Sequence, residues 1–480
     1  MMFDFKKMQP VNPVAGEFGI GIDFGTSNSS IAIYDGKQVR NVKIKNRELE
    51  SSYMPTAVYM TRELIPETGF AAIDRYLSDN AGRCIKLGRE EVGRFTITVG
   101  GTEKAGTVAE QEGITIDVNA HALTDLDVPG RLFRSLKRWL GQPDIERVKV
   151  FAKNYRLVAL LTPILQTLAA QYDEAPLHAH VHLGRPVAFE GNTPDASGIA
   201  CQRLEEACGH AGMPPIRFYP EPVAAIVSYL YAKPWEMGKT YLSFDFGGGT
   251  LDVCVIRTTE DSFEILSIDG ISLGGDAIDK IVFAKKLFPE LGQGVKVKSR
   301  RNRNGALVEF RFREYADLLL DWQNTYQLNS PVHRDRIMEG MRVGGEAAEK
   351  LKRLRALIVS NYSYEIFREI ERAKIALSTA NDTRIDLPGL DLQLVLTRQE
   401  FESFLSEPLQ QIRKVVTTSI ATAGLAASDI DGVVCTGGSS RIPLMRETLA
   451  DIMGQPVEEH DTFTSIASGL AIANYHGYSL

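Results

Sequence analysis

The sequence predicts an α/β protein of two related lobes, and three observations carry that prediction. A strand–turn–strand unit, FGIGIDFGTSNSSIAIYDG from Phe18, returns as TYLSFDFGGGTLDVCVI from Thr240. The aspartates of the two units, Asp23 and Asp245, are each followed by an aromatic residue, glycine and then threonine, as D-F-G-T and D-F-G-G-G-T. Self-similarity on the scale of half a chain points to duplicated units. Within each half, strand-like runs are mixed with amphipathic helical runs, the pattern of an α/β protein.

The chain has 480 residues, enough for two to four compact units. With 44% hydrophobic and 24% charged residues it can bury a large core without covalent staples. A net charge of −7 argues against non-specific binding to nucleic acid or to an anionic membrane, whose phosphates repel it. The five cysteines, Cys84, Cys201, Cys208, Cys254 and Cys435, are scattered and show no CxxC spacing. They read as free thiols of a reducing compartment. The first 17 residues lack the apolar run of a signal peptide and read as a loose tail. No stretch approaches the length of a membrane span. The expectation is a soluble, cytoplasmic protein.

Along the first half, a turn falls at Asp35-Gly36, residues 60–130 carry little periodicity, and LFRSLKRWL (132–140) reads as amphipathic. A helix is expected over 155–172, a strand over 178–187 and a helix ending at Gly212. A further helix covers 220–232, with Pro222 in its first turn. In the second half, residues 295–314 read as a hairpin turning at Asn304-Gly305, and one long helical stretch runs from Glu346 to Thr379. A strand at 432–438, the helix LMRETLADIMG and a last helix SIASGLAIANY close the chain.

Phosphates need backbone N–H donors free of side-chain obstruction, and glycine-rich turns provide them. An aspartate at such a turn can hold waters of a hydrated Mg²⁺, which takes only one or two carboxylates besides phosphate oxygens. Two such hairpins facing each other across a cleft would grip a Mg–triphosphate from both sides. D-x-G-T alone is also an ordinary hairpin turn. The run D-F-G-G-G-T-L-D is less ordinary, because each glycine in a strand costs about 0.5–1 kcal/mol and three together call for a close-approaching ligand.

These motifs carry a resemblance. GIDFGTSNSSIA, FDFGGGTLDVCVI and VVCTGGSSRIPLMRETL resemble the two phosphate motifs and the adenosine motif of the actin, hexokinase and heat-shock ATPase superfamily. YPEPVAAIVSYL, SLKRWLG and IERAKIALST resemble the connecting motif, lysine segment and adenosine-contacting helix of its heat-shock-protein-70 (DnaK-type) branch. The matches run in the family's order from Phe18 to about Tyr475. The resemblance implies an actin-like ATPase fold: two lobes with ribonuclease-H-like core subdomains and two inserted subdomains around a central nucleotide cleft. The lobes are expected at 18–238, with an insertion at about 60–130, and 239–480, with an insertion at about 285–400. Because the sequence ends just past its last helix, it resembles short bacterial members with the nucleotide-binding domain only. Without the family's linker and peptide-binding domain, coupling to J-domain co-chaperones is not expected, and the protein partner is unidentified.

By the same resemblance the ligands are ATP or ADP with Mg²⁺, and the activity is a slow hydrolysis of ATP. Asp23 and Asp245 would hold the magnesium through water. Gly25, Thr26, Ser27 and Asn28 would meet the nucleotide from one side, and Gly247, Gly248, Gly249, Gly274 and Gly275 would line its phosphates. Lys137 would reach the γ-phosphate, with Glu221, Asp245, Thr250 and Asp252 completing the catalytic set. Glu371, Lys374 and Ser378 would touch ribose and base, and Gly437, Gly438, Ser439 and Arg441 would close the adenosine side. Two positions depart from the family: Ile375 stands where it has an arginine over the adenine, and Phe463 where it has an aspartate near the base.

Blander readings stand beside these roles. Lys137 belongs to a basic amphipathic stretch with Arg131, Arg134 and Arg138, which also suits a solvated face. Glu221 in a first helical turn favours the helix dipole, and the spacing of Glu371, Lys374 and Ser378 is common on exposed helices. His178, His180 and His182 alternate, as metal ligands or simply as one face of a strand. Lys296, Lys298, Arg300, Arg301 and Arg303 suit a solvated hairpin or an acidic partner such as RNA. Cys201 and Cys208 read as small residues on one buried helix face. Two other functions remain open: a small-molecule, sugar-type kinase of the same superfamily, and a non-hydrolysing nucleotide-gated scaffold or filament protein.

Overall fold

The computed structural model describes residues 18–46, 49–99, 114–171, 180–234, 236–260, 262–298, 306–459 and 464–478. The N-terminal tail, His178, Arg300, Arg301, Arg303, the Asn304-Gly305 turn and Phe463 lie outside the described residues.

Two sheets share one connectivity. In the first, Gly19–Phe24 pairs antiparallel with Asn28–Tyr34 and parallel with Val181–Arg185, which pairs parallel with Ile216–Pro220. The short strands Val39–Asn41 and Tyr53–Pro55 extend the far side of Asn28–Tyr34. In the second, Thr240–Phe246 pairs antiparallel with Leu251–Thr258, which continues to Phe263–Ile271. On its other side Thr240–Phe246 pairs parallel with Gly432–Thr436, and Glu458–Glu459 follows. Leaving aside the extra strand Tyr53–Pro55 of the first sheet, each sheet has three antiparallel strands followed by two parallel ones, with the aspartate-bearing strand in the middle. The structure is mixed α/β, and the repeat in the sequence is a repeat of sheet topology.

Two helices lie between the sheets, and both come from unexpected ends. Glu221–Tyr231 follows the last strand of the first sheet but packs on the second, while Ser465–Tyr475 packs on the first. Period-two alternation explains how close the latter comes. Along Gly19–Phe24, Ile20, Ile22 and Phe24 join the core on the outer face with the helices Leu157–Ala169 and Ala196–His210. The opposite face offers Gly19, Gly21 and Asp23. A Cβ at Gly21 would overlap the backbone of Ala467 and Ala471, so only glycine permits this packing. The Asn474 side chain locks the contact by accepting from Ile20 N–H (2.9 Å) and donating to the His180 carbonyl (3.3 Å). On Thr240–Phe246 the same alternation sends Leu242, Phe244 and Phe246 into the second outer core.

Most expected helices and strands fall near their sequence positions, and three segments differ. Residues 132–140 are not one amphipathic element: Leu132 and Phe133 lie in the strand Gly130–Arg134, Ser135 takes a left-handed φ of 55°, and a 3₁₀ turn covers Leu136–Trp139. The stretch expected as one helix from Glu346 to Thr379 is two, Gly345–Val359 and Ser363–Ala376, separated at Asn361 with φ 54°. Residues 60–130, read as weakly periodic, contain the helix Gly69–Asn80 and a long ribbon pairing Leu87–Val99 with Ile114–Asp125. The expected 295–314 hairpin is represented by antiparallel pairing of Lys296–Lys298 with Leu307–Glu309.

An aromatic cluster joins the two halves beside the cleft. Tyr364 meets Tyr76 at 5.1 Å between ring centroids and Trp322 at 4.6 Å. Backbone bonds run alongside: Ile85 donates to Val359 (3.0 Å) and Asn329 Nδ2 donates to the Ile85 carbonyl (2.9 Å). Among the described residues no helix is long and apolar enough to cross a membrane.

The layer between the sheets should be sensitive to lost volume. Leu470 is fully buried there, so Leu470→Ala is expected to cost about 2–5 kcal/mol. Urea unfolding of the variant beside the wild type measures it, through a lowered midpoint with an unchanged slope.

Candidate functional site

The two aspartate hairpins meet at a cavity of about 490 Å³. Gly25, Thr26, Ser27 and Asn28 line it from one turn, and Gly247, Gly248, Gly249 and Thr250 from the other. The turns are in contact: a Cβ on Gly248 would overlap Ser27 Oγ, and one on Gly249 would stand 2.7 Å from Thr26 Oγ1. The loop before the helix Gly275–Val282 packs behind them, with Gly275 N–H donating to the Gly247 carbonyl (3.0 Å) and Asp276 N–H to that of Gly248 (2.9 Å). Gly275 lines the cavity, whereas Gly274 backs the Gly248 carbonyl so closely that any side chain would collide with it.

At the floor, four carboxylates surround one ammonium. Lys137 Nζ donates to Glu221 Oε1 at 2.5 Å, and both side chains are 6% exposed. The 3₁₀ turn fixes the lysine, because its neighbours Leu136 and Leu140 are fully buried. This ion pair decides against a solvated face for Lys137. Glu221, Asp245 and Asp252 each bring an oxygen within 4.8 Å of the others. Asp252 stands behind Thr250, accepting from its hydroxyl at 2.9 Å and from Val187 N–H at 2.9 Å. Asp245 accepts from Thr436 Oγ1 (3.1 Å).

Burial, then the neighbouring Glu221, raises the Asp23 and Asp252 carboxyls to about 7. Burial and the adjoining carboxylates push Asp245 well above the carboxylate range. Burial opposes the Lys137 charge, but Glu221 and Asp23 outweigh it and hold the ammonium above its ordinary value. A pocket so rich in carboxyl groups is chemically suited to a hard divalent cation, whose charge would displace their protons. Asp23 and Asp245 line the open cavity, where a hydrated ion has room.

The other end of the cavity is less charged. Glu371, Lys374 and Ser378 line it from the helix Ser363–Ala376 and the turn after it, and Gly437, Gly438, Ser439 and Arg441 face them. Ser439 Oγ donates to the Gly247 carbonyl (3.0 Å), tying this loop to the phosphate-type turn. Ile375 is 63% exposed and lines the same end, so the wall there is aliphatic. Lys374 has a partner that its sequence context did not reveal: Nζ pairs with Asp279 Oδ1 at 2.7 Å and donates to the Gly275 carbonyl (3.2 Å).

Asp279, Asp276 and Ser135 are the functional neighbours that sequence reasoning missed. Asp276 has a local signal, an acidic residue in the first turn of a helix that follows two glycines. Ser135 donates to it at 3.1 Å across the cleft. The described members of the remaining constellations sit in ordinary structural surroundings. His182 is 1% exposed, stacks on Tyr219 at 5.3 Å and is driven by burial to about 3, so it stays neutral. All five cysteines are free, and burial pushes the Cys208 thiol up to about 12; Cys201 is only half-buried. Lys296 and Lys298 are exposed about a buried Val297, as on a solvated hairpin.

Comparison with known proteins accounts for this arrangement. The family described as "Hsp70 protein" matches residues 200–310 and 359–474. The chain is 28% identical to "Chaperone protein dnaK" of Cyanophora paradoxa, over 72% of this chain and 50% of that protein. It is 25% identical to "Heat shock 70 kDa protein 6, chloroplastic" of Arabidopsis thaliana, over 92% of this chain and 50% of the relative. It is 24% identical to "Chaperone protein DnaK" of Thermus thermophilus, over 94% and 60%. The chain spans about half the length of the curated relatives it matches. Through these matches, together with the duplicated sheets that they explain, the chain belongs to the Hsp70 family and has its actin-like ATPase fold.

Proposed function

We propose that this chain binds Mg–ATP in the cleft between its two sheets and hydrolyses it slowly, as a chaperone-type conformational switch for a protein partner. The observation that carries the proposal is the charge imbalance at the cleft floor. Asp23, Glu221, Asp245 and Asp252 outnumber the single ammonium of Lys137 beside a wall of glycines. That donor set fits a magnesium–phosphate ligand, which supplies the missing positive charge and fills the space that side chains would obstruct. Mg²⁺, when bound, neutralises charge on the phosphate oxygens. The five free cysteines suit a reducing setting such as the cytoplasm.

The residues divide the remaining work. The hydroxyls of Thr26 and Ser27 and the N–H groups of Gly248 and Gly249 receive phosphate oxygens, while Gly247 N–H closes the turn on the Thr250 carbonyl (3.0 Å). Lys137, aimed by Glu221, stabilises charge on the terminal phosphate. Thr250 gives its own proton to Asp252 in a hydrogen bond, which leaves its oxygen to accept from a water. Asp252, poised at about 7, takes a proton as that water attacks phosphorus and the bond to the β-phosphate oxygen breaks. Ile375, Ser378, Gly438 and Arg441 receive the nucleoside.

Lys137→Ala tests the assignment. ADP–Mg should still bind, and single-turnover hydrolysis of ATP should slow roughly a hundredfold, the usual scale for losing one charge-stabilising donor. Unchanged turnover would remove Lys137 from the reaction, and absence of nucleotide binding by the wild type would end the proposal.

The raised carboxyls give a second test. Folded Asp23 and Asp252 keep protons that the unfolded chain releases above its ordinary carboxylate range, so the native state binds more protons between the two values. Stability is therefore expected to fall as pH rises from about 5 to about 8 in metal-free buffer. Mg²⁺ with ADP should flatten that fall, and Asp252→Asn should lessen it without metal. Thermal unfolding across the range reads all three.

A further inference from the structure

A second cavity, about 510 Å³, lies on the far side of the Ser135–Asp276 hydrogen bond and is as large as the nucleotide cleft. The segment SLKRWLG supplies Ser135, Arg138 and Trp139 to it, although that motif by itself points only to Lys137. Its walls come from both halves of the chain, with Arg138, Trp139 and Gln142 on one side and Trp322, Gln323 and Phe367 on the other. The cavity shares only Asp276 and Glu371 with the nucleotide cleft, so it is a neighbouring compartment.

Most of its charged side chains already have partners within the protein. Arg138 pairs with Glu190 at 2.8 Å. Arg134 pairs with Glu371 at 3.8 Å and donates to the Tyr364 hydroxyl at 3.2 Å. Asp321 accepts from Gln323 N–H (3.2 Å) and Asn324 Nδ2 (2.8 Å). The lining holds three cationic side chains, Arg134, Arg138 and Lys280, against five carboxylates, those of Glu190, Asp276, Asp279, Asp321 and Glu371. A phosphate or carboxylate ligand therefore meets a wall of its own sign. A purely apolar ligand would strip water from these paired charges without replacing it.

The chemistry that fits is neutral and rich in hydroxyls. Trp139, Trp322 and Phe367 supply flat apolar faces, and Trp322 is held by Tyr76 (5.8 Å) and Tyr364 (4.6 Å). Between them, paired carboxylates retain acceptor positions and the amides of Gln142 and Gln323 offer both donors and acceptors. Aromatic faces with a few polar groups are the usual make-up of a small-molecule site. We propose that this cavity is a binding site for a neutral polyhydroxylated ligand of the carbohydrate class, held between the tryptophans of the two halves. It requires no nucleotide, so it stands or falls separately from the ATPase reading.

Tryptophan emission offers a direct test, since two of the chain's three tryptophans, Trp139 and Trp322, line the cavity and the third is Trp235. The full chain is titrated with glucose, mannose, maltose and trehalose, with glucose 6-phosphate as the charged control, in the absence and presence of saturating ADP. At least one neutral sugar should give a saturable change that ADP does not compete away, with the phosphorylated sugar binding more weakly. Gln323→Ala, which removes polar contacts without touching the aromatic cluster, should weaken that sugar roughly fivefold, and Trp322→Leu should weaken it further. No saturable response to any of the four sugars, competition by ADP, or full affinity in both variants would overturn the proposal.

Discussion

Four carboxylates and one ammonium share the floor of the cleft, and each is delivered by a different piece of the fold. Asp23 lies next to the end of the central strand of the first sheet, while Asp245 and Asp252 face each other across adjacent strands of the second. Glu221 opens the helix that crosses from one sheet to the other, and Lys137 sits on a single 3₁₀ turn. Burial first, and then repulsion between neighbouring carboxylates, raises the carboxyls of Asp23, Asp245 and Asp252. Breaking the one buried pair that offsets it would strand a charge, a change that typically costs about 3–5 kcal/mol. The surrounding scaffold must therefore be stiff enough to hold the groups together before any ligand relieves them.

The stiffness comes from packing the two middle helices against small residues. Gly21 admits the backbone of Ala467 and Ala471, and Gly469 lies directly against Ala224 where the two helices touch. Helices Glu221–Tyr231 and Ser465–Tyr475 are buried along almost their whole length, unlike the one-sided helices on the outside of each sheet. Each carries apolar surface to the sheet formed by the other half of the chain. The halves are thus interlocked at the bottom of the cleft, while the insertions above it meet through the Tyr76, Trp322 and Tyr364 rings.

What the sequence made legible follows from how local each requirement is. The aspartates and glycines of the two hairpins could be found because phosphate-type turns impose their chemistry within a few consecutive residues. The Lys374–Asp279 pair could not, since each residue looks like an ordinary charged position on its own helix and the partners meet only after folding. Glu346 to Thr379 kept a helical period across the break, and neither Gly nor Pro marks Asn361, whose left-handed backbone ends the first helix. The ribbon was different: Ile114, Ile116 and Val118 alternate with polar residues, a readable period of two. The surrounding polar, glycine-containing sequence diluted it. The second cavity had no local signature at all, because its walls come from segments nearly two hundred residues apart.

One short segment carries both the charged group of the site and contacts that join the halves across the cleft. Arg134 reaches Tyr364 and Glu371 in the opposite half, Ser135 reaches Asp276, and Lys137 reaches Glu221. The left-handed backbone at Ser135 turns these successive side chains in different directions, and the buried Leu136 and Leu140 pin the turn from below. A rotation that separates the halves must break the Arg134 and Ser135 contacts and pull on the segment that carries Lys137. Conversely, a ligand that draws Lys137 away from Glu221 acts on the same few residues that hold the halves together. Closure around a ligand is a common movement for two lobes about a cleft, and under the proposed function its coupling to the site would need no long path through the core, because the contact and the charge are two residues apart.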